Sequence, residues 1–311
     1  MHIVIVGAGG IGGYYGARLV AAGERVSFVA RGRHGQAIRE HGLRVTSPLG
    51  DVSVRPHAVS DDGQGLEPAD LVVFAVKLPD AESAARTTLP PLVRSMRPGA
   101  VVLPLQNGVE VAELLAQAVG AAAVALGVAY IATKIAAPGL IEHGGPMTRL
   151  RFGPLQPAQQ PALAAFEAAC RRAGIDVELL ADPRRAMWEK FILLVAMSSL
   201  TTLTRCPAGV VRSLPETRAL LQQVMDEAAA LARAEGVDLG AEFVARQMAF
   251  VDGLPPGMKA SMLHDLEAGR PLELPWLAGA VARRSERLGL AAPASGFIVA
   301  ALAPFVGGAR P

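Results

Sequence analysis

Apolar positions along this chain follow two regimes. Up to residue 182, short apolar and largely β-branched runs recur at residues 2–6, 25–30, 71–76, 100–105, 123–129, 150–153 and 176–180. Runs of that length bounded by Gly, Pro or charged residues read as strands. Between them lie stretches of helical spacing, such as 14–22 closed by Gly23 and 162–173 closed by Gly174. Strands alternating with helices predict a parallel sheet covered on both faces. Beyond residue 182 the pattern lengthens into helical stretches at 183–204, 215–235, 241–250 and 276–288, with Pro255-Pro256-Gly257 breaking the chain before a helix carrying residues 261–267. Ser213 and Glu216, with Pro215 between them, have the spacing of a capping box. The expected fold is therefore α/β over residues 1–182, followed by an all-α domain over 183–311.

The junction between the first strand and the first helix carries chemistry of its own. Gly7-Ala8-Gly9-Gly10-Ile11-Gly12 follows the run Ile3-Val4-Ile5-Val6 and opens a helix. In a G-x-G-x-x-G turn the first glycine makes the tight turn, the second lets the backbone approach a pyrophosphate, and the third lets the helix pack on the strand. The free amides of the helix N-terminus then face the phosphates. A dinucleotide that needs its ribose hydroxyls held meets an acid at the end of the second strand, but here that place reads Ala30-Arg31-Gly32-Arg33-His34. Arginine there suits a 2′-phosphate, which favours NADP(H); two ordinary surface arginines are the alternative.

Composition narrows the partners. With 311 residues, 51% apolar content and a formal net charge of only +2 spread along the chain, a nucleic acid or membrane surface has little support, and a small-molecule partner is expected. The apolar stretches 121–135 and 191–203 read as too short, or too interrupted by Lys134, for a bilayer of about 20 residues. Cys170 and Cys206 lie far apart with no metal-ligand spacing; they read as ordinary buried thiols in a cytoplasmic protein, and no metal site is expected.

Only four of the thirty basic residues are lysine, namely Lys77, Lys134, Lys190 and Lys259, and Asn107 is the only asparagine. A chain that writes arginine wherever charge suffices keeps lysine where a compact ammonium that can lose a proton has a use. Lys77 and Asn107 both follow strands, at the end of an open sheet where ligands bind. Lys77 could meet a phosphate or a carboxylate, and Asn107 a ribose or a reacting group; a solvated strand end and a plain Asn-Gly turn are the bland alternatives. Lys190 stands in Trp188-Glu189-Lys190-Phe191-Ile192-Leu193-Leu194, where burial would lower its pKa toward a range useful for proton transfer; a lysine whose stem is buried and whose head reaches solvent is the alternative. Leu194 and Ser198 drift only about 40° per step from it around a helix.

Taken in order, GAGGIGGYYG from Gly7, Arg31, Val76-Lys77, Gln106-Asn107-Gly108, Trp188-Glu189-Lys190, Ser261-Met262-Leu263-His264-Asp265, and Glu273 followed by Leu277-Ala278-Gly279 resemble the ketopantoate reductase (2-dehydropantoate 2-reductase) family along essentially the whole chain. The resemblance implies a Rossmann-type N-terminal domain with a parallel sheet, an all-α C-terminal domain, and reduction of 2-dehydropantoate to (R)-pantoate by NADPH in pantothenate biosynthesis. It makes Lys190 the general acid and Glu273 its partner near the nicotinamide ribose. Gly7, Ala8, Gly9, Gly10, Ile11, Gly12, Arg31, Lys77, Asn107, Ala132 and Glu273 line the cofactor. Lys190, Leu194, Ser198, Ser261 and Asn107 meet the substrate. Family members carry asparagines four, eight and eighteen residues after the lysine, where this chain has Leu194, Ser198 and Ala208. That departure keeps a reductase of another small 2-oxo acid open, and a non-catalytic NADPH-binding sensor is the rival of a different class. A homodimer through the helical domain is also expected.

Overall fold

Ile3, Val4 and Ile5 have no exposed surface, as a strand covered on both faces requires. They belong to β1 (His2–Val6), and the chain continues as α1 (Gly10–Ala21), β2 (Arg25–Val29), α2 (Gly32–His41), β3 (Leu43–Thr46), β4 (Val52–Val54), β5 (Ala58–Ser60), β6 (Leu71–Phe74), α3 (Leu78–Thr87), α4 (Leu89–Ser95), β7 (Val101–Pro104), α5 (Val111–Val119), β8 (Leu126–Ala137), β9 (Leu140–Gly153), α6 (Gln160–Arg172) and β10 (Val177–Leu179). This computed structural model describes residues 1–308. Two compact units divide it: Met1–Gln106 with Val111–Pro183, and Asn107–Glu110 with the chain from Arg184 onward. The expected first domain thus gives up residues 107–110 to the second unit and gains Pro183.

In the first unit a five-stranded parallel sheet runs in the order β5-β2-β1-β6-β7, with Ile5 beside Phe28 and Val73. Of the runs expected at 123–129, 150–153 and 176–180, only the first pairs with it, through a single parallel bridge of Val124 to Val102. Otherwise they fall in a second sheet, ordered β10-β9-β3-β4, with β8 paired antiparallel to β9. The reason is local. β8 and β9 are joined by a turn at Pro138-Gly139, where Gly139 has φ +75°, and a tight turn returns a chain antiparallel. A parallel neighbour would have needed a crossover.

Helix α1 contacts strands of both sheets. Its approach to β1 is too close for any side chain: a Cβ at Gly12 would lie 2.1 Å from the Gly7 carbonyl oxygen and 2.9 Å from Ile5 Cγ2. Gly7 itself takes φ +98°, the left-handed region that glycine enters freely. One apolar core, containing Ile3, Tyr14, Phe28, Leu103, Leu150, Phe152 and Phe166, serves both sheets of this unit.

The second unit is built from α7 (Arg184–Thr204), α8 (Ala208–Ser213), α9 (Pro215–Ala234), α10 (Phe243–Asp252), α11 (Ser261–Glu267), α12 (Ala278–Arg287) and α13 (Pro293–Leu302). Helix α7 lies at its centre, against α8, α9, α11, α12 and α13. It has the length and hydropathy to cross a membrane, which the shorter run 191–203 had concealed, yet 67% of that apolar window is buried within the fold. Trp188 and Phe191 meet edge to face at 5.4 Å in its core. The buried Glu227 carboxylate accepts hydrogen bonds from the amides of Ala294 and Ser295 at 2.7 and 2.8 Å, capping α13 from a neighbouring helix. The capping box expected at Ser213 and Glu216 does not form. Proline at 215 pushes its predecessor into extended backbone, so Leu214 becomes the N-cap at ψ 127°, and the Ser213 hydroxyl turns back to the Val210 carbonyl. Of the two cysteines, both free, Cys170 is buried but Cys206 only half-buried.

Because the Gly12 position cannot take a methyl group without moving β1 or the Gly7 peptide, Gly12→Ala is expected to lower stability by about 1–3 kcal/mol, read from chemical denaturation followed by circular dichroism. An unchanged midpoint would contradict the contact.

Candidate active site

The loop between β1 and α1 ties its first amide, Gly7 N–H, to the Val29 carbonyl at 3.0 Å and leaves the opening of α1 uncapped. A backbone N–H in the first turn of a helix has no acceptor within that helix, and Gly9, the N-cap of α1, offers no side-chain cap to Gly10, Ile11 or Gly12. A Cβ at Gly9 would meet nothing within 4 Å, so the backbone there faces open space. Arg31, at the N-cap of α2, and Arg33 are exposed, and the first turn of α2 holds no acid. Lys77, the N-cap of α3 just past β6, is exposed as well. Ala132 is exposed at an irregularity in the β8–β9 register between Ile131 and Thr133.

Two enclosed oxygens complete this surface. Gln106 donates from Nε2 to the Val76 carbonyl at 3.0 Å, tying the ends of β6 and β7, while its Oε1 is buried without a partner among the described residues; the Thr133 hydroxyl is in the same state. Open space at a glycine, unsatisfied helix amides, buried acceptors and an exposed arginine at the end of β2 form a donor set that fits a dinucleotide. Gln106 stood in the Gln106-Asn107-Gly108 motif of the sequence without a role of its own, and Thr133 carried no signal there.

The second unit brings three separated residues together. Lys190, in the second turn of α7, donates from Nζ to Asn107 Oδ1 at 2.8 Å. Asn107 Nδ2 in turn donates to Glu273 Oε2 at 3.4 Å. An ammonium only donates and a carboxylate only accepts, so this orientation of the amide follows from its neighbours. Burial pushes the Lys190 pKa down to about 8, with the Glu273 charge pulling the other way. Glu273 precedes a short 3-10 turn (Leu274–Trp276), and Arg283 grips both sides of the arrangement, donating to Glu110 Oε2 and to the Pro275 carbonyl, each at 2.9 Å. That tie holds residues 107–110 against the Glu273 segment, and the sequence carried no signal of it.

The remaining expected residues stand elsewhere along the helices of this unit. Leu194 is half-buried against the apolar core. Ser198 is fully buried, and its hydroxyl has no partner among the described residues. Ser261 is exposed at the start of α11, a helix packed on α7, and Ala208 is buried at the start of α8. Asp265 pairs with Arg270 at 2.6 Å. Among the described residues no group of His, Cys, Asp and Glu is placed to hold a metal ion.

A parallel-sheet unit with a dinucleotide loop, joined in one chain to a helical unit that presents a desolvated lysine, defines an oxidoreductase. Comparison with known proteins is specific. The pattern described as "Ketopantoate reductase PanE/ApbA" matches residues 3–157, and its C-terminal counterpart matches residues 182–305. The chain is 32% identical to the 2-dehydropantoate 2-reductase of Halobacterium salinarum over 297 residues, 94% of this chain and 95% of that protein. It is also 32% identical to the Mesorhizobium japonicum 2-dehydropantoate 2-reductase over 305 residues, 90% of each. The crystal structure of a PanE/ApbA family ketopantoate reductase from Ralstonia eutropha JMP134 superposes with a TM-score of 0.87 at 35% identity, covering 98% of both chains. The chain belongs to the ketopantoate reductase family.

With only four lysines in the chain, the Lys190 amine can be followed directly by carbon NMR after reductive methylation. It is expected to titrate at about 8 in the folded protein, and lower still in Glu273→Gln, which removes the charge that favours the ammonium. An ordinary lysine value in the wild type, or a rise in the variant, would overturn this account of the site.

Proposed function

We propose that this chain reduces 2-dehydropantoate to pantoate with NADPH, with Lys190 as the general acid. The observation that carries this reading is the Lys190–Asn107–Glu273 chain, with the lysine pKa drawn down to about 8. The bound nicotinamide supplies a hydride to the keto carbon. Lys190 holds the keto oxygen by a charge-assisted hydrogen bond, opposes the negative charge that builds there, and gives that oxygen its proton. Asn107 takes up one ammonium N–H and so sets the direction of the others. Glu273 keeps the amine protonated against the desolvation that loosens its proton. Reduction needs the ammonium, so its rate declines as pH rises through about 8. Gly7, Ala8, Gly9, Gly10, Ile11 and Gly12 hold the pyrophosphate, Asn107, Glu273 and Ala132 the nicotinamide end, and Arg31 the 2′-phosphate with Lys77 nearby. Ser261 is the substrate's polar contact on α11, whereas Ser198, the other serine the resemblance points to, is fully enclosed and offers no surface to it.

A second reading rests on two observations. Leu194, one turn from Lys190 on α7, is apolar, and Ser198 is fully enclosed, which favours a less polar 2-oxo acid. The proposed setting is the reducing cytoplasm, in keeping with two free cysteines, and the proposed assembly is a homodimer through the helical unit, where Phe250 and Phe297 are exposed.

NADPH oxidation measured with a panel of 2-oxo acids decides the substrate: preference for 2-dehydropantoate is expected, and preference for a chain lacking its hydroxyl would favour the second reading. Lys190→Met is expected to lower kcat by about 10²–10⁴-fold while sparing NADPH binding, and full activity would refute the mechanism. Arg31→Ala is expected to weaken NADPH by about ten- to a hundredfold with little effect on NADH; equal losses would sink the 2′-phosphate assignment.

A further inference from the structure

His34, in the first turn of α2, uses both ring nitrogens within the first unit. The Gly139 N–H donates to Nδ1 at 3.1 Å, and Nε2 lies 2.8 Å from the Ala8 carbonyl oxygen. A peptide N–H only donates and a carbonyl only accepts, so Nδ1 is bare and Nε2 carries the hydrogen. The ring is neutral in this arrangement, since an imidazolium would turn a second donor on the Gly139 amide. Burial works in the same direction, holding its pKa below the ordinary imidazole value although the Ala8 carbonyl pulls upward.

Each end of the ring holds something that matters to the loop after β1. Ala8 stands between Gly7 and Gly9, and a peptide group is planar, so fixing the Ala8 carbonyl also fixes the direction of the Gly9 N–H. Gly139 makes the turn between β8 and β9. Strand β8 lies directly on the start of α1: a Cβ at Gly10 would be 2.7 Å from the Thr133 carbonyl oxygen and 2.8 Å from its hydroxyl. The helix that carries His34 is also the one that opens at Arg31.

We propose that His34 is a positioning residue for the dinucleotide: a neutral imidazole strut that sets the Ala8–Gly9 peptide plane and ties the glycine loop, the β8–β9 turn and the arginine end of α2 into one preformed phosphate cradle. This rests on the dinucleotide reading above. A cradle set before binding spares the ligand the work of ordering it, so removing the strut weakens affinity and leaves the chemical step alone.

The tautomer is read without any ligand, by long-range nitrogen–proton correlation NMR of the wild-type protein; Nε2–H is expected, and a protonated Nδ1 overturns the proposal. NADPH dissociation constants from fluorescence titration are expected to rise about tenfold in His34→Leu, and by less in His34→Gln, whose amide still donates toward Ala8. Alongside, kcat at saturating NADPH and the KM for the oxo acid stay within about twofold. Wild-type affinity in His34→Leu overturns the proposal, as does a fall in kcat matching the loss of affinity. If His34→Leu fails to fold, His34→Gln carries the test, with unaltered affinity counting against the strut. A wild-type protein that binds no NADPH refutes the dinucleotide reading instead, while the tautomer spectrum still tests the strut.

Discussion

An ammonium group stripped of much of its water sits on the central helix of the second unit, and the arrangement around it follows from keeping its charge there. Burial along α7 favours the neutral amine. Glu273 opposes that, and Asn107 bonds to both partners at once. Burial outweighs the carboxylate, and the pKa comes down to about 8. Such a balance moves easily: a small change in the packing that carries Asn107 or Glu273 changes how tightly the lysine holds its proton. The Arg283 tie to Glu110 and to the Pro275 carbonyl therefore matters through geometry more than through its own energy, for Arg283 is half-exposed and an ion pair in water contributes little.

The first unit depends on close approach rather than charge. Helix α1 is packed by both sheets, and glycine at position 12 lets it reach the Gly7 peptide. The same absence of side chains leaves the helix amides bare. Packing and ligand binding thus ask for the same residue type at neighbouring positions, which is why the turn is so dense in glycine.

That density made the turn legible from the sequence, since all of its information lies in a dozen consecutive residues. Lys190 was legible as a polar residue in an apolar stretch, and Glu273 through family resemblance. The bond between Lys190 and Asn107 spans 83 residues of sequence and is set by tertiary packing, so no local pattern announces it. The second sheet was hidden for a similar reason: β3 and β4 are short, and the partners of β9, namely β3, β8 and β10, come from three separate places in the chain. At Ser213 the local signal was present but lost to a stronger one, because Pro215 dictates the backbone of the residue before it. His34 and Gln106 were visible as residues, but their partners were not.

Residues 107–110 lie in sequence amid the first unit, between β7 and α5, and in space with the second. The partner of Lys190 is therefore encoded inside the other module's gene segment. Cutting the chain near residue 183 would yield a helical fragment lacking the amide that Lys190 bonds to. A graft of that fragment onto a foreign nucleotide-binding module would need these four residues transplanted as well. The helical module is therefore exchangeable only when that four-residue segment travels with it.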